Sequence, residues 1–142
     1  MLSGRCHCGA ISYEMSEETV HQALCHCADC RRHAGAPVVA WAMVAEDKIS
    51  IHGTPQIYAS SEHGRRMFCG NCGTSLFYTN ESMLPGMVDV QIATLDEPEK
   101  LPPGAEIQTA ERIGWMTQIG GLAQFERYPG QSTPPSVPRS RE

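Results

Sequence analysis

Short apolar stretches separated by Gly, Pro and Asn run the length of this chain, and most are too short for a packing helix. Ala10–Met15 alternates polar and apolar positions, Val38–Val44 is a continuous apolar run around Trp41, and Gly53-Thr54-Pro55 splits Ile49–Tyr58 into two strand-like pieces. Thr74–Thr79 and Gly86–Thr94 add two more. Within the last, Val88, Val90 and Ile92 share one face and Asp89 and Gln91 the other, which predicts a half-buried antiparallel strand. No helical apolar stripe is long enough to lead the packing. Short helical turns are expected near Ala28–His33 and Thr94–Glu99, so the pattern predicts a mainly β fold.

A length of 142 residues suits one domain. From Gly130 onward Pro and Ser dominate, with little to bury, so the reading is a folded domain over 1–129 and a flexible tail over 130–142. No apolar run approaches the ~20 residues that cross a bilayer, and the first residues lack a signal-peptide pattern, so the expectation is a cytoplasmic protein with no membrane partner. The formal charge is −5, from 11 basic and 16 acidic residues with no basic stripe, which argues against nucleic acid. The pattern leaves the oligomeric state open.

Seven cysteines change the picture. The odd number rules out complete pairing into disulfides within the chain, and their clustering points to metal or redox chemistry. They stand as Cys6 and Cys8, as Cys25, Cys27 and Cys30, and as Cys69 and Cys72. Cys69 and Cys72 form a C-x-x-C-G knuckle, which Cys6 and Cys8 complete as a four-thiolate structural site. Cys25, Cys27 and Cys30 then offer three thiolates and leave one position open, the mark of a catalytic zinc. Spacing also allows Cys6, Cys8, Cys25 and Cys27 to close one site, leaving Cys30, Cys69 and Cys72 as the open one.

Near the trio, His26 and His33 are candidates for completing the site or moving a proton, although alternation turns His26 away from its neighbours' metal. His7 reads as merely exposed. Arg31 and Arg32 would offset thiolate charge or receive substrate carboxylates, and Asp29 is either an oxygen ligand or a turn or capping residue. Trp41, Phe68, Phe77 and Trp115, with Met43, Met83, Met87 and Met116, are assigned to packing.

The segments CHCGA, CHCADCRRHAG, FCGNCGTSLF, VDVQIATLDEPEKLPP and ERIGWM, in this order over roughly Gly4 to Arg127, resemble the glutathione-dependent formaldehyde-activating enzyme family. The resemblance implies a small antiparallel-sheet β-tent fold braced by zinc. It implies a structural Zn²⁺ on Cys6, Cys8, Cys69 and Cys72 and a second Zn²⁺ on Cys25, Cys27 and Cys30. It further implies a carbon–sulfur lyase acting on a small-molecule thiol or thiol–aldehyde adduct, such as S-hydroxymethylglutathione formed from glutathione and formaldehyde. Glu111 and Arg112 fall in the ERIGW segment with no evident chemical role. The competing expectations are a non-catalytic zinc module that binds another protein and a thiol redox sensor.

Overall fold

A computed structural model of the chain describes residues 1–130. The expected tail lies, from residue 131, outside the described residues. Ten strands form two sheets, with a single α-helix among the described residues. Strands β1 (Leu2–Arg5), β2 (Ser12–Met15) and β5 (Ile49–His52) make an antiparallel three-stranded sheet in the order β1-β2-β5.

The larger sheet has seven strands. They are β3 (His21–Cys25), β4 (Val39–Ala45), β6 (Gln56–Ala59), β7 (Gly64–Phe68), β8 (Ser75–Asn80), β9 (Met87–Gln91) and β10 (Ala105–Ile107). Their order is β10-β3-β4-β9-β8-β7-β6, antiparallel throughout except for the parallel β10–β3 pair. The architecture is thus mainly β, as the hydrophobic pattern predicts. The apolar run at β4 has a simple cause. It lies between β3 and β9, and both its faces are covered, so Val39, Trp41, Ala42, Met43 and Val44 are all buried. On the outer strand β6 every residue is exposed.

The main core fills the space between the sheets. Leu2, Tyr13 and Met15 enter it from the small sheet, and Ala42, Val44, Phe77, Val88 and Val90 from the large one. Tyr13 is 1% exposed, meets Phe77 edge-on at 5.2 Å between ring centres, and bonds Thr94 Oγ1 through its hydroxyl at 2.7 Å. An aromatic pair of this kind adds about 0.5–1.5 kcal/mol beyond the area it buries. A bridge between Gly4 and Leu95 and a bond from Asp96 N to Ser3 O tie the small sheet to the chain leaving β9.

Two packing expectations fail. Trp115 is 57% exposed on a short 3₁₀ helix, Gly114–Gly121, that buries nothing, and Met83 is 78% exposed in the β8–β9 connection. Neither lies where the two sheets enclose a core. Strand β9 departs from the half-buried expectation as well, because Asp89 is buried along with Val88 and Val90.

Candidate metal centres

Cys6 and Cys8 follow β1, and Cys69 and Cys72 lie in the turn from β7 to β8. Their four sulfurs all lie within 4.8 Å of one another. The Cys6–Cys8 and Cys8–Cys69 sulfur separations are both 3.7 Å. Sulfurs at the corners of a tetrahedron with metal bonds of about 2.3 Å stand about 3.8 Å apart, so the quartet fits one metal ion.

The backbone is shaped to the same end. Gly9 and Gly73, each directly after a cysteine, have φ of 83° and 82°, a left-handed turn that other residues adopt only at a cost. These turns aim amides at sulfur: Ile11 N at Cys6 (3.2 Å), Ala10 N at Cys8 (3.4 Å), and Asn71 N and Cys72 N at Cys69 (3.4 Å each). Such donors stabilise thiolates and set their direction. Thr74 Oγ1 joins the two halves, accepting from His7 N at 3.0 Å and lying 3.2 Å from Cys72 Sγ.

Cys25 ends β3, Cys27 caps helix α1 (Ala28–Ala34), and Cys30 sits on that helix's first turn. These three sulfurs also lie within 4.8 Å of one another, with no His, Asp or Glu ligand atom joining them among the described residues. The alternative grouping of Cys6 and Cys8 with Cys25 and Cys27 does not occur. Cys25 and Cys30 are buried. Hydrogen bonding from Cys25, with help from Cys27 and from the charge of Arg66, pulls the Cys30 thiol down to about 5. Cys25, hydrogen-bonded to Cys30 and buried, is pushed up. The convergence of the three sulfurs is what fits the trio to hold a metal ion, and the Arg66 guanidinium favours negative charge at Cys30.

The loop carrying the trio is held from the far end of the chain. His26 is 1% exposed and turned from the sulfurs, its Nε2 2.9 Å from Glu106 Oε1 on β10. Glu106 also pairs with Arg112 at 3.4 Å. Glu111 Oε1 accepts from Ala28 N at 3.0 Å, at the start of α1. The Glu111 and Arg112 of the ERIGW segment are thus braces. Arg31, expected to face the thiolates, instead donates to the carbonyls of His26 (3.2 Å) and Glu111 (3.4 Å), and Arg32 is exposed. Asp29 lies in the first helical turn, and the capping atom is Cys27 Sγ, which accepts from Cys30 N.

The cation beside the trio is Arg66, which the sequence reading overlooked. Its side chain is 6% exposed, Nη1 lies 3.7 Å from Cys30 Sγ, and the guanidinium stands 4.7 Å above the Tyr78 ring centre. Trp41 packs beside Tyr78, and with Val39 it walls the trio in a second, smaller core. His33 reaches across from α1 to Ser75 Oγ at 3.0 Å and stacks on Tyr58, with Phe68 edge-on. Burial and the charge of Arg66 keep this imidazole below its usual range. No local pattern points to Arg66: Gly64-Arg65-Arg66-Met67-Phe68 lacks polar–apolar alternation, and an arginine on a strand does not announce what it faces.

Fold and site together define a two-sheet β protein with two thiol clusters, each fit for one metal ion. Residues 1–111 match the family described as glutathione-dependent formaldehyde-activating enzyme, and the chain belongs to that family. A Schizosaccharomyces pombe protein named as an uncharacterized lyase is 37% identical over 79 residues, 54% of this chain and 58% of that protein. The match thus covers little more than half of that relative. A Halomonas elongata protein carrying the family's description in its own name is 27% identical over 145 residues, covering 93% of this chain and 91% of that one. The crystal structure of a Rhodobacter sphaeroides protein shares the fold, with a TM-score of 0.60 at 23% identity over 73% of this chain and 98% of that one. No helix among the described residues is long and apolar enough to cross a membrane.

Proposed function

We propose that the protein is a zinc-dependent carbon–sulfur lyase acting on a thiol–aldehyde adduct such as S-hydroxymethylglutathione. In this reading Cys6, Cys8, Cys69 and Cys72 hold a structural zinc, and Cys25, Cys27 and Cys30 hold a catalytic one. The observation that carries it is the convergence of three thiols with no fourth protein ligand among the described residues, beside a buried cation. The family's description supports glutathione and formaldehyde as the thiol and aldehyde.

Zinc bound by three thiolates supplies a coordination position for a soft sulfur ligand and favours its deprotonated form. The chain's own residues do the rest. Arg66 offsets negative charge at the sulfurs, where low polarity strengthens the interaction. His26, Glu106 and Arg112 hold the loop so that the thiols stay convergent without substrate. Trp41 and Val39 keep water from the inner side of the trio, which protects an adduct from unassisted breakdown.

Cobalt-substituted protein tests this reading. Added glutathione changes the ligand-field bands in the wild type and not in Cys27→Ala, and affinity rises with pH toward the thiol's pKa as proton release accompanies binding. Bands that glutathione leaves untouched in a loaded site would overturn direct thiol binding and favour a non-catalytic module.

A further inference from the structure

Asp89 on β9 is 9% exposed, and its Oδ1 is sealed from solvent with no hydrogen-bond partner among the described residues. Strand register shows which groups share its surroundings. Asp89 pairs with Met43 on β4 and with Tyr78 on β8, and Tyr78 pairs with Arg66 on β7, so all four side chains point to one face of the large sheet. Trp41 and Cys25 occupy that same face through the β4–β9 and β3–β4 registers. The flanking Val88 and Val90 point the other way, into the main core. A carboxylate is therefore held, with Oδ1 unbonded, on the side of the sheet where the three thiols converge. The fold gains nothing from it, since a buried acceptor left unsatisfied is a cost.

We propose that Asp89 is the proton-transfer residue of the thiol–aldehyde reaction, a role that rests on the lyase reading above. In cleavage its carboxylate takes the hydroxyl proton of the adduct RS–CH₂–OH. The O–H electron pair becomes the second bond of the aldehyde C=O, the C–S bond breaks, and its pair leaves on sulfur as thiolate. In synthesis the same steps reverse: thiolate adds to the carbonyl carbon and the Asp89 carboxylic acid protonates the new alkoxide. Nothing is oxidised or reduced, and no further reactant is needed.

The neighbours divide the labour. Arg66 faces the sulfurs and compensates charge, but a guanidinium does not surrender its proton, so it cannot serve as the acid. Among the described residues, the ionisable groups on this face around Asp89 are Arg66 from β7, Tyr78 from β8, Cys30 from α1 and Cys25 from β3, while β4 presents the uncharged Met43 and Trp41. Burial first and the Cys30 charge second raise its pKa against the opposing Arg66, to about 6 in all, so both protonation states are accessible near neutrality. His33 is the rival proton carrier, with Nδ1 committed to Ser75.

The test compares zinc-loaded wild type, Asp89→Asn, Asp89→Glu and His33→Gln, using glutathione and formaldehyde with exchange followed by NMR. In Asp89→Asn, kcat falls by about 10²-fold or more. Its zinc content and glutathione affinity stay within about threefold of wild type, and the rise of rate with pH through about 6 is lost. Asp89→Glu recovers part of the rate. Independently of turnover, the infrared band of a protonated carboxyl in the wild type shifts when the adduct binds, and is missing from Asp89→Asn. Turnover of Asp89→Asn within about threefold of wild type overturns the proposal. So does loss of zinc or glutathione binding along with the rate, or a rate loss confined to His33→Gln. Failure of both Asp89 variants to fold overturns it too, because it would make the carboxylate a structural requirement. A wild type without turnover sinks the lyase reading itself, whereas an active wild type with an active Asp89→Asn sinks only this proposal.

Discussion

Nη1 of Arg66 lies 3.7 Å from Sγ of Cys30, 36 positions away in the chain and on a different element. That contact puts a buried guanidinium against the sulfur whose pKa is lowered, while those of Cys25 and Cys27 are raised. Arg66 would offset the further negative charge that a glutathione thiolate brings to the sulfurs, so Arg66→Met should weaken glutathione binding by roughly tenfold. Arg66→Lys, which keeps the charge and loses the planar fork, should fall between the two. Titration of cobalt-substituted protein with glutathione checks the order, and equal affinities in all three would show that the cation does not act on the sulfurs.

Protein prepared without chelator should contain about two zinc ions per chain, one removed much faster than the other. The four-sulfur site is closed by two segments whose amides point at the sulfurs, whereas the three-sulfur site has no fourth protein ligand among the described residues. Elemental analysis during timed exposure to chelator reads both quantities. A single, uniform release phase would contradict the division into closed and open sites.

Substitution should separate the clusters by their effect on folding. Structural zinc binding is worth on the order of 10 kcal/mol against a domain stability of about 5–15, so Cys6→Ala or Cys72→Ala should leave poorly folded protein. Cys27→Ala should keep the fold, because its segment is also held by β3, β10 and the His26–Glu106 contact. Thermal melts in the opposite order would assign the structural role to the wrong cluster.

Asp89 should make stability depend on pH in a direction opposite to most carboxylates. Its folded pKa, about 6, lies above an unfolded value of about 3.9, so the folded state binds the extra proton between them. The stabilisation is complete below about pH 4 and lost as pH rises through about 6. Between about pH 4 and pH 7.5, the stability of Asp89→Asn relative to wild type should therefore rise by about 2 kcal/mol. Urea melts of both proteins at the two pH values measure it, and a constant difference would mean that the carboxylate is not held in a low-polarity site.

Local signals along the chain sufficed for the strands that carry their own pattern and for the ligands that carry their own spacing. β2, β4, β5, β6, β8 and β9 follow the predicted segments, and α1 covers Ala28–Ala34 where a short helical turn was expected. Strands β1, β3, β7 and β10 carry little apolar pattern of their own, and much of what makes them strands is the neighbour that pairs with them. Asp89 was read as the polar face of a half-buried strand, since alternation tells which residues share a face but not whether that face is wet.

The amino-acid sequence by itself determined the β class, the three cysteine-bearing segments and the family, because chelating residues close together carry their geometry in their spacing. Only the tertiary structure decided which cysteine pairs meet and what surrounds the open trio. It turned Arg31 toward backbone carbonyls and put Arg66 against Cys30. It sealed Asp89 Oδ1 on the face the thiols share, and made braces of Glu106, Glu111 and Arg112 from 80 or so positions away. Those contacts arise from sheet register and strand order, which depend on the summed packing of the two sheets and leave no mark on any one stretch of chain.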